Sequence, residues 1–128
     1  MLAALLSIAF AAPPKLELAQ VHHITEAQLH SESRREVAKL RFGQTQYSMR
    51  CRIKDKLKCI LRSGDTVVAT VKPAKLQLPG AAVFRVDVSP DNADRFGGQT
   101  QLRVEIPKAS LVDTDFVFGV SAGRFAAP

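Results

Sequence analysis

The sequence predicts an all-β domain, either a small antiparallel β-sandwich or a partly open β-barrel with at most one short helix. Seven or eight short stretches alternate apolar and polar residues with period two, as strands with one buried face do. Turn residues, mostly glycine, proline and aspartate, separate these stretches about every eight to twelve residues, which is typical of sandwiches and small barrels. We see no internal repeat and no low-complexity linker.

The 128 residues are enough for one domain. We expect a signal peptide at residues 1–11 and a single all-β domain at residues 12–128. Leu2–Ala12 is an uncharged apolar run, too short to span a bilayer, and Ala9–Ala11 fits a small-x-small cleavage site. This favours a periplasmic or secreted protein with no transmembrane span in the mature chain. Because no Lys or Arg precedes the run, the alternative is a buried first element.

Before the hairpin described next, the alternation predicts two strands and one short helix. The strands are Lys15–Val21, where the alternation is weak, and Glu36–Phe42. Between them, Thr25–Gln28 has the form of a capping box, which favours a short helix from about Glu26 to Arg34. The apolar stripe of this helix would be only Ala27 and Leu29, so the alternative is an irregular crossover. At Gly43 the apolar phase shifts by one residue, which requires a turn or a bulge.

A hairpin at Tyr47–Arg62 organises the prediction. A turn centred on Asp55 puts Cys51 opposite Cys59 on an apolar face. Opposed residues in such a pair are close enough for a disulfide, which in the chain-entropy model would stabilise the fold by about 2–3 kcal/mol. We favour the bond because export implies an oxidising compartment; the alternative is two buried thiols acting as small apolar residues.

The other face of this hairpin, with its tip, is cationic. Its six basic residues, called here the cationic hairpin face, are Arg50, Arg52, Lys54, Lys56, Lys58 and Arg62. The chain has a net charge of +6, and residues 34–62 hold ten Lys or Arg against two acids, so the basic character belongs to the hairpin and its lead-in. Such a face binds an anionic polymer, a lipid or an acidic protein, or serves only as a solvated surface that protects a sheet edge.

Beyond the hairpin, a turn at Ser63–Asp65 and a polar stretch at Ser89–Thr100 separate further strands. The predicted strands are Thr66–Lys72, Val83–Val88, Leu102–Ile106 and Asp115–Ser121, with a short edge strand as an option at Lys75–Leu78. Thr66–Lys72 is β-branched almost throughout, so we expect it to be well buried.

No residue pattern indicates catalysis or a cofactor. The serines lack an elbow motif, and there is no glycine-rich phosphate loop. A metal site at His22 and His30 would need a helix through both residues, but the capping box leaves His22 outside it. Asp91 and Asp94 do not match a calcium-binding loop. We therefore expect no enzyme, no cofactor and no metal.

Three functions remain open. The first is an exported, non-catalytic binding module that uses the cationic hairpin face on an anionic envelope component or an acidic protein. The second is a cytosolic OB-like protein that binds single-stranded nucleic acid, although the cationic hairpin face carries no aromatic residue for stacking. The third is a subunit of a cell-envelope assembly that pairs through strand edges. Nucleic acid is not expected for an exported protein.

Overall fold

The computed structural model describes residues 13–22 and 24–107. Within them, seven antiparallel strands form one sheet, together with one short α-helix and one 3-10 helix. The strands are β1 (Glu17–Val21), β2 (Arg35–Phe42), β3 (Thr45–Ile53), β4 (Leu57–Ser63), β5 (Thr66–Pro73), β6 (Ala81–Val88) and β7 (Gln101–Pro107); the helices are α1 (Glu26–Leu29) and the 3-10 helix Pro90–Phe96. The predicted signal peptide at 1–11 and the predicted strand at 115–121 lie outside the described residues.

The sheet is a meander that nearly closes into a barrel. Each strand pairs with its neighbours in chain order, from β1 to β7. At the seam, the backbone N–H of Leu16 donates to the carbonyl of Arg103 over 2.8 Å, and the N–H of Arg103 donates to the carbonyl of Pro14 over 3.0 Å. This short parallel pairing brings the segment before β1 against β7. The all-β prediction is confirmed, and the barrel is the form adopted.

Two tight turns lie at glycines where the sequence predicts turns. Phe42 pairs with Thr45 and Ser63 pairs with Thr66, so each hairpin has a two-residue loop. The first loop residue is Gly43 in one hairpin and Gly64 in the other, with φ of +61° and +56°. Glycine takes such angles without the steric cost that a Cβ imposes, so it fixes where both hairpins turn.

Inward-facing side chains fill the barrel. The largest fully buried ones include Phe84, Leu40, Met49 and Leu61 from the strands. Phe96, at the end of the 3-10 helix, is also fully buried; its ring lies 5.5 Å from Phe42 and 4.9 Å from Tyr47, centroid to centroid. The sequence predicts that the polar stretch 89–100 only separates two strands. In the structure this stretch also contributes the ring of Phe96 to the core.

The first helix begins where the sequence predicts and ends earlier. The N–H of Gln28 donates to Thr25 Oγ1 over 3.3 Å, and the N–H of Thr25 donates to Gln28 Oε1 over 2.9 Å, so the capping box forms. The helix stops at Leu29 and does not continue to Arg34. Leu29 is fully buried, and a longer helix would have exposed an almost wholly polar face.

The prediction of a short edge strand at Lys75–Leu78 is wrong. This segment makes one isolated bridge, between Leu78 and Ala81. The side chain of Gln77 takes over the pairing to β6: its Nε2 donates to the carbonyl of Val83 over 2.9 Å, and its Oε1 accepts the N–H of Val83 over 2.8 Å. An amide side chain offers both a donor and an acceptor, as the backbone does, so Gln77 satisfies Val83 of β6 although the loop does not extend as a strand.

Candidate functional site

The β3–β4 hairpin has the predicted register. Cys51 pairs with Cys59, and Ile53 pairs with Leu57 around the turn at Asp55. The two cysteine sulfurs lie 2.07 Å apart, at disulfide bonding distance, and both residues are buried on the inner face. Because side chains alternate along a strand, the inward cysteines fix the residues between them on the outer face.

All six residues of the cationic hairpin face lie on the outside of this hairpin, with four at its tip, Arg62 toward its other end and Arg50 between them. Arg52 stands opposite Lys58, next to the turn that carries the exposed Lys54 and Lys56. Arg62 lies toward the other end of the barrel, opposite Ser48, in a hollow of about 160 Å³ that it shares with the acid Glu36. The structure therefore brings four of the six cations together at the hairpin tip.

Arg50, between the tip and the other end of the hairpin, is directed toward β2. Its Nη2 donates to the carbonyl of Arg34 over 3.0 Å. It pairs across β3–β4 with the half-buried Ile60, and across β2–β3 with Glu36. Because an acid and a carbonyl both lie beside it, Arg50 contributes less free positive charge than Arg52 or Lys58.

The outer face extends the positive charge beyond the hairpin. Lys72 follows Val71, the partner of Cys59, and so lies beside Lys58. Lys72 pairs with Arg85 on β6, and Arg85 pairs with Arg103 on β7. Five cations thus stand side by side on five neighbouring strands, and we call them the basic row: Arg52, Lys58, Lys72, Arg85 and Arg103. Sequence reasoning missed the last three, because they meet only when the register of each later strand is known.

The two ends of the basic row differ in how their charge is balanced. Arg85 forms an ion pair with Asp87 over 3.0 Å, and Arg103 forms one with Glu105. Within residues 13–22 and 24–107, none of Arg52, Lys58 and Lys72 forms an ion pair with an acid. Like charges directly opposite each other destabilise a sheet, so this part of the row costs stability in the free protein.

Two guanidinium nitrogens in the row, the Nε atoms of Arg52 and Arg103, also lack a hydrogen-bond partner among the described residues. The Nε of Arg52 is buried and has no hydrogen-bond acceptor among the described residues, and the same holds for the Nε of Arg62. A buried donor without an acceptor costs free energy. The Nε atoms of Arg52 and Arg62 both belong to the cationic hairpin face, so this cost adds to the cost of its unbalanced charge.

Three polar side chains meet beside the hairpin. Ser48 Oγ donates to Glu36 Oε1 over 2.7 Å, and His22 Nε2 lies 2.6 Å from Glu36 Oε2. In a nucleophilic triad the histidine stands between the serine and the acid; here the acid stands between them, so His22 cannot take the hydroxyl proton directly. The cluster instead ties β2 and β3 to the residue that follows β1.

The pKa of Glu36 is lowered. Burial opposes its ionisation, but the hydrogen bonds from Ser48 and His22, with the positive charges of His22 and Lys39, outweigh it. The pKa of Glu105 is also lowered, first by the hydrogen bond from Lys15 and then, against some burial, by Arg103. Both carboxylates are therefore ionised at neutral pH and act as fixed negative charges.

A second concavity, with a volume of about 420 Å³, opens near the far end of the basic row. Its walls are largely apolar. They include Leu76, Leu78, Phe84 and Leu102, with Lys75, Arg85 and Arg103 among the lining residues. Leu76 is 85% exposed and Leu78 is 41% exposed, so this side of the barrel presents apolar surface next to charge.

Comparison with protein-family models, with curated proteins and with solved structures returns no match. Within the described part of the chain, no helix is long and apolar enough to cross a membrane. The same residues contain no group of three histidine, cysteine or acidic side chains placed to hold a metal ion.

Proposed function

We propose that this protein is an exported, non-catalytic binding module that holds an anionic partner on the cationic hairpin face. The observation that carries the proposal is the opposition of Arg52 and Lys58 next to Lys54 and Lys56, with no ion pair to an acid from any of the four within the described residues. The repulsion between these opposed cations destabilises the free protein. A bound anionic partner would supply negative charge and relieve that repulsion.

The proposed compartment is supported by the Cys51–Cys59 pair. A disulfide persists in the periplasm or outside the cell and is rare in the cytosol. Export would be directed by the signal peptide proposed at residues 1–11. The intact mass of the chain, produced from the full gene in an exporting host, tests this: we expect loss of the first eleven or so residues and a gain of about two daltons on reduction. An uncleaved chain with free thiols would contradict export.

The two alternative functions have less support. Proteins that bind single strands stack bases on exposed aromatic rings, but Tyr47 is only 3% exposed and Phe42 packs against Phe96. Assembly through strand edges needs unpaired backbone groups, and two hydrogen bonds between the Pro14–Leu16 segment and Arg103 use some of those groups at the seam.

Elution from a heparin column tests the proposal. We expect the full exported chain to bind at low salt and the variant Arg52→Ser/Lys58→Ser to elute at clearly lower salt. A matched control, Arg41→Ser/Arg95→Ser, removes the same charge elsewhere: Arg95 contacts Ser63, five residues along β4 from Lys58, or about 17 Å. Elution that is independent of salt, or shifted equally by both variants, would contradict a specific cationic site.

A further inference from the structure

We infer that the anionic partner is a linear anionic polysaccharide that crosses the strands along the basic row. This inference rests on the proposed function and extends it, because the hairpin supplies only Arg52 and Lys58 of the five cations. The other three residues of the row, Lys72, Arg85 and Arg103, would then belong to the same binding site.

The geometry of the row favours a chain over a flat surface. Neighbouring strands are about 4.8 Å apart, so five strands give a track about 19 Å long. In a nearly closed barrel of seven strands each step turns the outer face by about 50°, and the whole row turns by about 200°. A planar membrane would face two or three of these strands at once, whereas a flexible polymer follows the curve.

The spacing of the row suits an extended acidic polysaccharide. The backbones of neighbouring strands are about 4.8 Å apart and their outward side chains diverge because the face curves, so acidic groups one or two sugars apart can meet successive cations. Among residues 13–22 and 24–107, the rings of Tyr47, Phe84 and Phe96 are buried, and Phe42 packs on Phe96. No ring therefore stands on the row to stack a base, and recognition there depends on charge.

The charge balance assigns different parts to the residues of the row. Lys58 and Lys72 are exposed and form no ion pair within the described residues, so they offer free charge at its centre. Arg85 is held by Asp87. A polyanion has to compete with Asp87 for Arg85, so neutralising that acid should strengthen binding, while neutralising Lys72 should weaken it.

Heparin fragments of defined length test the inference with the full exported chain. We expect affinity to rise with fragment length until the fragment spans the track of about 19 Å, and to level off after that. Lys72→Gln should weaken binding of long fragments by up to about fivefold, the upper end of the range for one exposed ion pair, and Lys72→Arg should restore it. Asp87→Asn should strengthen binding of the same fragments. Arg95→Gln is the matched control and should change nothing.

The outcomes separate this inference from the proposed function. If Arg52→Ser/Lys58→Ser weakens binding while Lys72→Gln and Asp87→Asn both leave it unchanged, the track is wrong and the hairpin site stands. Tighter binding to an oligothymidine of equal length, or to phosphatidylglycerol vesicles without any effect of Lys72→Gln, would also overturn the polysaccharide track. If no fragment binds in a salt-dependent way, the proposed function fails as well.

Discussion

Replacing Lys58 by glutamine should make the free protein more stable although it weakens binding. Lys58 faces Arg52 on β3 and lies beside Lys72 on β5, and none of the three forms an ion pair within the described residues. One substitution therefore removes two repulsive neighbours. A lysine that served only the fold would not be expected at a position where its charge destabilises the protein. The sign of the change in the free energy of unfolding therefore distinguishes a binding surface from a merely solvated one.

The expected gain can be estimated from the pairing. A like-charge pair directly across two strands costs roughly 0.2–1 kcal/mol, so two such pairs cost about 0.4–2 kcal/mol. Lys58 and Lys72 are exposed, and their charged ends can move apart in solvent. We therefore expect Lys58→Gln to raise the free energy of unfolding by about 0.5–1 kcal/mol at low ionic strength. The gain should nearly vanish in 1 M salt, where the Debye length is about 3 Å.

Urea unfolding, followed by circular dichroism at low and at high sodium chloride, measures this change in the free energy of unfolding. Urea is used because guanidinium chloride is itself a salt and would screen the charges. Lys58→Arg keeps the charge and serves as the control, with no expected gain. A loss of stability in Lys58→Gln at low salt would mean that its surroundings stabilise the lysine. An equal gain at both salt concentrations would mean that the effect is not electrostatic. Either result would refute the reasoning.

Three further predictions concern the fold around the site. Reduction of the Cys51–Cys59 bond should lower the free energy of unfolding by about 2.5 kcal/mol, from the separation of 8 residues in the chain-entropy model; a urea midpoint unmoved by reductant would contradict it. Glu36→Gln should be less stable than the parent above the unfolded pKa of a glutamate. That difference should fade as the pH falls through the lowered folded pKa, so a pH-independent difference in urea unfolding would exclude this role. Phe96→Ala should cost about 3–5 kcal/mol in the same assay because the ring is fully buried, and a cost under about 1 kcal/mol would mean that the ring is not core.

The sequence predicts the hairpin well because two local signals agree there. Period-two alternation in both arms fixes which residues share a face, and the turn at Asp55 fixes which residues are opposite. The pairs Cys51–Cys59 and Ile53–Leu57 follow from these signals alone. Gly43 and Gly64 mark the neighbouring turns for an equally local reason, since each sits at a positive φ.

Features that depend on distant contacts could not be predicted in this way. The seam joins Leu16 to Arg103, which no local pattern relates. The basic row can be recognised only when the register of β4, β5, β6 and β7 is known. The alternation within one strand does not show that Lys72 lies beside Lys58. Phe96 is a single aromatic residue in a polar stretch, and its burial depends on the rings of Phe42 and Tyr47 around it.

The most direct test of the proposed binding site is the salt dependence of heparin affinity, measured by equilibrium titration for the full exported chain and for Arg52→Ser/Lys58→Ser. Each cation that meets an anionic group releases counterions and adds about 0.7–0.9 to the slope of log affinity against log salt, taking nucleic acid as the guide. The proposed site predicts that the double variant loses about 1.4–1.8 from this slope, while Arg41→Ser/Arg95→Ser keeps the parent slope. Equal slopes for the parent and for Arg52→Ser/Lys58→Ser would mean that the hairpin cations do not contact the polyanion, and would contradict the proposed function.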